Sequence, residues 1–593
     1  MIERSHITIA NCSGFFGDRP SAAREMVEGG PIDVLTGDWL AELTMLILSR
    51  IRAKRPGGGY ARTFVTQMEE VMGTCLDRGI KVVSNAGGLD PDGCADAVAE
   101  LADRLGLNPT VAYVNGDDLM PRLQELVEAG ALESFEPREP APDTSKLLTA
   151  NAYLGCWGIV ETLAAGADIV ITGRVTDAAV VCGPAAWHHG WTPSDLNPLA
   201  GAVVAGHVIE CGTQATGGNY SFFTEIEGRN EVGGRARFGF PWADIEADGS
   251  CVIGKHDNTG GIVSVGTVTS QLLYEIGGPR YLGPDVTARF DTINLDRIEP
   301  DRVRISGTVG EPPPETLKVA TNEMGGYRNS FSVALTGLDI EAKAELAQST
   351  FWDACPFSPD DFDSLSSEII RTDSPDPATQ AEATAVWRLT VKDPDERKVG
   401  RAFSDAMIHT ALASIPGMYG LGGGPSPATP YGVYRPARIP SDLVSQQVHL
   451  LDGPTSVINA TTQASAPQVR EPRPSPGSVV TGPATDLPLG TIVGARSGDK
   501  GGYANLGVFV RTDNQFHWLA EFLSVARLEM LLPEVEPGSV ERFDFPNIRS
   551  INFLLRGFLD EGVAASTRAD PQAKALGEWL RARVVPIPDA LMA

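Results

Sequence analysis

The chain has 593 residues, 42% of them apolar and 21% charged, with a formal net charge of −28. That length calls for about three or four domains, and the negative charge argues against nucleic acid and anionic membrane surfaces as partners. No run of about 18 apolar residues occurs, so no membrane-spanning helix is expected.

The opening stretch, MIERSHITIANCSG, mixes charges with a short apolar run and reads as a first β-strand, not a signal peptide. Eight cysteines (12, 75, 94, 156, 182, 211, 251 and 355) are scattered without a CxxC pair. They read as buried thiols of a reducing compartment, so a cytoplasmic protein is expected.

Over the first 220 residues one pattern repeats: an apolar run ends in small and polar residues, then a helical stretch follows. HITIA leads to NCSGFFGDRP, IDVLTGD to an apolar helix over 39–53, and KVVSNAGGLD to PDGCADAVAELADRLG. TVAYVNGDD leads to LMPRLQELVEAG, and ADIVITGR to VTDAAVVCG. Strands alternating with helices predict an α/β domain over 1–221, a doubly wound, mostly parallel sheet. Residues 222–451 change texture to Gly-broken, β-branched strands such as DRVRISGTVG and one helix, DIEAKAELAQSTFWDA, and read as an α+β domain. Residues 452–488, rich in Pro, Ser and Thr, read as a linker. The tail, 489–593, reads as two ββα units, a two-layer α+β ferredoxin-like domain.

In open parallel sheets ligands bind beyond the carboxyl ends of the strands. There stand Asn11, Ser13, Asp18 and Arg19; Thr36, Gly37 and Asp38; Asn85, Gly87 and Gly88; Asn115, Asp117 and Asp118; and Thr172, Gly173, Arg174 and Asp177. Turns and helix caps need the same residue types, but five such loops in a row predict a polar rim. Asp177 suits the first turn of a helix, whereas Arg174 does not, and so needs Asp177 or a bound anion as partner. His207, Glu210 and Cys211 share a helical face. They fit an acid/base pair of His207 and Glu210, a buried histidine, or half of a zinc site without its second half. Gln214, Gly217, Gly218 and Asn219 form a polar loop that can donate to a carbonyl. Lys255, His256 and Asp257 read as a hairpin turn, His188 and His189 as surface packing, and the Gly run in MYGLGGGPSPATPYGVY as a connector or lid.

ARSGDKGGYANLGV places Arg496, Ser497, Asp499 and Lys500 on a Gly-rich loop. The expectation is that this loop reaches the rim of the first domain. Arg496 and Lys500 would then bind an anionic group, and Asp499 would orient one of them or move a proton. No GxSxG elbow and no GxGxxG fingerprint occurs, so neither a serine nucleophile nor NAD is implied, and no cofactor or metal is expected.

ANAYLGCWGIVETLAAGADIVITGRVTDAAV, GHVIECGTQATGGNYS, KHDNTGGIVSVGTVTSQLLYEIGGPRYLGPDV and ARSGDKGGYANLGV together resemble the acyclic terpene utilisation AtuA family. The resemblance covers roughly 5–450 and 487–592. It implies a large domain joined to a small ferredoxin-fold domain, and a setting in citronellol and geraniol breakdown, where branched acyl chains are handled as CoA thioesters. On that basis a small-molecule substrate, a branched acyl-CoA or related carboxylic acid, is expected. The reaction expected is that of a lyase or hydratase, with Asp38, Asp177, His207, Glu210 and Asp499 as acid/base groups. Arg174, Arg496 and Lys500 would hold anionic groups, and amides near Gly87, Gly88, Gly217 and Gly218 an enolate oxygen. The alternative is a non-catalytic acyl-CoA- or partner-binding subunit. Homo-oligomerisation is the default expectation.

Overall fold

The computed structural model describes residues 5–55, 57–136, 140–228, 230, 237–422, 426–451, 453–459 and 482–592. At its centre, strands His6–Asn11, Val34–Gly37, Lys81–Ser84, Ile169–Thr172 and Val111–Asn115 lie side by side in that order, all parallel. Each is short, apolar and nearly buried, as strands covered on both faces must be. Alternate residues feed two cores. Ala10, Leu35, Val82 and Ile171 pack under helices Ala22–Gly29, Glu42–Lys54, Arg62–Arg78 and Pro91–Leu105. Ile9, Val34, Val83 and Val170 pack under Trp157–Ala164, Ala179–His189 and Leu196–Ile209. Leu196–Ile209 is apolar on all sides, and every residue from Leu199 to Ile209 is buried.

The mixed α/β class and the doubly wound arrangement are as the sequence implies. The parallel strands form the middle of a larger sheet. Pro241–Glu246, Cys251–Lys255, Arg302–Ser306 and Asn294–Glu299 extend it antiparallel beyond His6–Asn11. Ser445–Leu450 and Thr455–Asn459 extend it beyond Val111–Asn115. Chain contacts gather into two compact units, one of 1–322, 434–563 and 570–593, the other of 323–433 and 564–569. The stretch read as a linker carries strands at both ends, Thr455–Asn459 and Ala484–Pro488, and its residues 460–481 lie outside the described ones. The smaller unit has its own aromatic core of Phe331, Phe351, Trp387 and Phe403 beside helices Ile340–Ala354 and Arg401–His409. In the stretch MYGLGGGPSPATPYGVY, residues 423–425, two glycines of the Gly run and the proline after it, lie outside the described chain.

Within the larger unit, strands Gly494–Lys500, Tyr503–Phe509, Ser550–Leu555 and Val540–Phe545 make an antiparallel sheet. Helices Asp513–Phe522, Val525–Leu531 and Leu576–Arg581 cover one face, where Ala495, Leu506, Val508 and Phe553 point. This is the ββα, ββα order of a ferredoxin-like layer pair. Its other face carries Arg496, Gly498, Lys500, Asn505, Gly507 and Asn552 by strand alternation. That face is clamped on residues 273–277. The Glu275 N–H donates to Asn505 Oδ1 (2.8 Å), and Asn552 Nδ2 donates to the Gly277 carbonyl (2.7 Å). A side chain at Gly498 would overlap the Tyr274 ring, and one at Gly507 would overlap Leu273. The glycines thus permit close approach of two backbones. The supposed loop is therefore mostly strand: pairing runs on to Lys500↔Tyr503, and only Gly501 and Gly502 turn. Among the described residues no helix is long and apolar enough to cross a membrane.

Candidate functional site

The rim of the parallel sheet is built by its own loops. Asn85 takes the Trp39 N–H on Oδ1 (2.8 Å) and donates from Nδ2 to Asp38 Oδ1 (2.5 Å). The Leu40 N–H donates to the same carboxylate (3.2 Å), so Asp38 is held by the strand beside it. Asn11 Nδ2 donates to the carbonyls of Ile209 and Glu210, the latter at 2.9 Å, which pins the end of the buried helix to the first strand. Ser13 is buried and closes this turn through the Phe15 carbonyl (3.0 Å).

Arg174 follows Ile169–Thr172, the strand inserted between two earlier ones, and so sits mid-rim. The helix starts only at Ala179, so Arg174 and Asp177 both lie in the connection before it. The internal pair is realised: Arg174 Nη2 meets Asp177 Oδ1 at 2.6 Å. Nη1 donates to the Leu40 carbonyl, and the guanidinium lies 4.2 Å from the centroid of the Tyr153 ring. Arg174 is 2% exposed, and its Nε has no partner. Burial opposes its charge, but Asp177, Tyr153 and Asp38 outweigh that and keep it protonated.

His207 and Glu210 end the buried helix, with Nδ1 3.4 Å from Oε1. The His207 ring packs on Tyr281 (5.0 Å) and Phe290 (5.4 Å), and neither its nitrogens nor Glu210 Oε2 makes a hydrogen bond of ordinary geometry. Burial pushes His207 down to about 4, so its ring is neutral at pH 7. Burial raises Glu210 well above the usual carboxyl range; Asp177 and Glu275 add to this, and Arg174 and Lys500 oppose it. Asp38 is pushed up to about 6 by burial, against the pull of Arg174 and with Glu210 adding. Two carboxyls of unequal acidity thus share one buried neighbourhood.

The ferredoxin-like sheet closes the cluster. Arg496 Nη2 donates to Gln214 Oε1, and its guanidinium stacks 3.9 Å from the centroid of Tyr274. Lys500 Nζ donates to the Glu275 carbonyl (3.0 Å). Strand alternation puts Ser497 and Asp499 on the opposite, helix-facing side. Ser497 Oγ donates to the Ala573 carbonyl (2.6 Å), and Asp499 lies 3.5 Å from Lys574 Nζ. Asp499 is therefore placed to orient Lys574. Lys574 in turn reaches the Tyr274 hydroxyl and lies 3.9 Å from Glu275.

Several expected residues stand elsewhere. Arg19 is tied to Glu25 (2.7 Å) and to the Phe238 carbonyl (2.8 Å). Asn219 is an exposed turn residue with positive φ. The N–H groups of Gly88, Gly217 and Gly218 are already donated to the carbonyls of Asn85, Gln214 and Thr213, and a side chain at Gly87 would overlap Pro91. Lys255 pairs with Asp301 (3.0 Å), and His256 bonds the Met26 carbonyl (2.9 Å). His189 stacks on Trp191. Among the described residues no group of three or more His, Cys, Asp or Glu is arranged to hold a metal ion. An open cleft lined by Leu154, Trp157, Pro284, Asp285 and Gln446 shares no residue with the cluster. Sequence reasoning missed Tyr274, Glu275, Tyr281 and Lys574. For Tyr274, Glu275 and Tyr281 the local signal was their place in the conspicuous LLYEIGGPRYLG block; Lys574 had none.

The fold and site define a doubly wound α/β protein whose polar sheet rim is closed by a ferredoxin-like layer of the same chain. Family comparison agrees: the model for the acyclic terpene utilisation family protein AtuA matches residues 7–450, and that for the AtuA ferredoxin-like domain matches 487–586. The chain belongs to this AtuA family, which ties it to acyclic terpene utilisation. Comparison with curated proteins and with solved structures gave no match.

Proposed function

We propose that the protein is a lyase or hydratase of acyclic-terpenoid breakdown, acting by acid–base chemistry on a branched acyl-CoA thioester or a related carboxylic acid. The observation that supports this best is the pairing of Glu210, buried with Oε2 unpartnered, with Asp38, buried and held by Asn85. Adding or removing water beside an acyl group needs one group to take the α-proton and another to give a proton to the departing hydroxyl. Asp38, ionised above about pH 6, serves as the base, and Glu210, kept protonated by burial, as the acid. In the dehydrating direction the α C–H electrons form the double bond and the C–O bond breaks. The hydroxyl leaves as water with the Glu210 proton.

The test is incubation with branched enoyl- and 3-hydroxyacyl-CoAs and the matching free acids, read by mass spectrometry for gain or loss of water. Turnover is expected, falling at least about 100-fold in Asp38→Asn and in Glu210→Gln. Absence of turnover across the panel, with thermal stabilisation by one of its members, would favour the binding-subunit reading instead.

A further inference from the structure

The open cleft at the N-terminus of Trp157–Ala164 is separate from the acid–base cluster and has chemistry of its own. Its volume is about 40 Å³. A single water needs about 10–15 Å³, so roughly three or four heavy atoms fit. Pro193, Pro284 and Pro313 give it stiff walls, and Trp157 adds an indole. Among the described residues of the lining, Asp285 alone is charged.

Asp285 is 7% exposed, and its Oδ2 accepts the Cys156 N–H (2.9 Å) where the helix begins. A helix N-terminus suits an anion, but it offers dipoles and not a full counter-charge. Among the described residues no Lys, Arg or His pairs with this carboxylate. By contrast Asp291, whose side chain is also buried, is met by Arg289 at 2.5 Å. Burial pushes Asp285 up to about 6 against the pull of Cys156, which leaves it ionised at pH 7.5. A buried carboxylate in that state is costly while it lacks a cation.

The lining also says which cation fits. A Cβ at Gly155 would overlap Asp285 Oδ1, so the glycine keeps a side chain off that oxygen. Oδ2 is already spent on Cys156, which leaves Oδ1 to a ligand. A guanidinium prefers both oxygens of a carboxylate side by side, whereas an ammonium is a compact point charge and needs one. The Trp157 indole attracts a cation through its ring face. Gln446 Oε1 accepts the Gly158 N–H (2.8 Å) and has a second lone pair for another N–H. The net charge of −28 draws cations towards the protein.

We propose that this cleft binds a small primary amine in its ammonium form, with Asp285 as the counter-charge. The site is independent of the acid–base reading and stands or falls without it.

Ligand-observed NMR titration of the full-length protein at pH 7.5 and constant ionic strength tests it with three probes of matched size: propylammonium chloride, 1-propanol and sodium propionate. Propylammonium is expected to bind with a Kd of about 1 mM, and the other two at least about tenfold more weakly. Propanol or propionate binding as tightly as the ammonium overturns the proposal, and so does failure of all three to bind. Asp285→Asn keeps an acceptor for the Cys156 N–H and should lower propylammonium affinity at least about tenfold. Asn459→Lys, at an exposed position of the same lining, brings a competing ammonium and should weaken binding several-fold. Unaltered affinity in either folded variant overturns the proposal, and Asn459→Lys decides if Asp285→Asn does not fold.

Discussion

Asp38 and His207 give the interior opposite pH signatures, and single substitutions separate them. Asp38 titrates near pH 6 in the folded chain, above the ordinary carboxyl value of 3.8. The native state therefore holds that proton more tightly than the unfolded chain. Its stabilising contribution is complete below about pH 4 and is lost as pH rises through about 6. His207, lowered to about 4 from 6.5, contributes stability above pH 6.5 that is lost as pH falls through about 4. Asp38→Asn keeps an acceptor for the Leu40 N–H and removes only the first effect. Urea unfolding at a series of pH values should show the variant gaining on the parent by about 2 kcal/mol between pH 4 and 7. A constant difference across that range would mean that Asp38 is not desolvated as described.

At the level of elements, the glycines of Gly494–Lys500 and Tyr503–Phe509 decide how closely the ferredoxin-like sheet seats on residues 273–277. Gly498→Ala should cost about 1–3 kcal/mol and loosen hydrogen-exchange protection at Glu275, because its Cβ would overlap the Tyr274 ring and force it to shift. Gly73→Ala is the control. In helix Arg62–Arg78 a Cβ there meets only Leu107 Cδ1 at 3.9 Å, so the variant should gain up to about 1 kcal/mol. These elements also mark what the sequence could reveal. The five parallel strands were legible because each apolar run and its following helix are adjacent in the chain. The antiparallel strands joining them were not, because His6 pairs with Glu246 and Ala112 with Leu450, and no local pattern encodes such partners. Asp38, Arg174 and Asp177 were singled out by their position beyond strand ends, and His207 and Glu210 by their spacing on one helical face. Tyr274 and Lys574 matter through a fold-back that neither neighbourhood announces. Arg496 to Lys500 looked like a loop because glycine is usually a turn residue, whereas Gly498 serves here to make room.

Across the whole molecule, the ferredoxin-like layers and the rim share one compact unit and are joined by polar links as well as by apolar packing. Ser221 Oγ donates to the Ala495 carbonyl (2.6 Å) and accepts its N–H (2.9 Å), and Asn547 Nδ2 bonds the carbonyls of Phe290 (2.9 Å) and Ile293 (2.8 Å). Arg511 and Glu225, an exposed pair at 2.6 Å, add little. Residues 1–459 and 482–593, expressed as two polypeptides, should therefore co-purify, and Ser221→Ala should weaken that association measurably. Independent elution of the two pieces would count against the interface. The strand Ser445–Leu450 has a further bearing on how the protein is made. Among the described residues it alone pairs with the outer side of Val111–Asn115. During translation that side stays bare until more than 300 further residues have been polymerised, a long interval for an unpaired edge. Nascent chains stalled before Ser445 should thus be the ones that engage chaperones and aggregate.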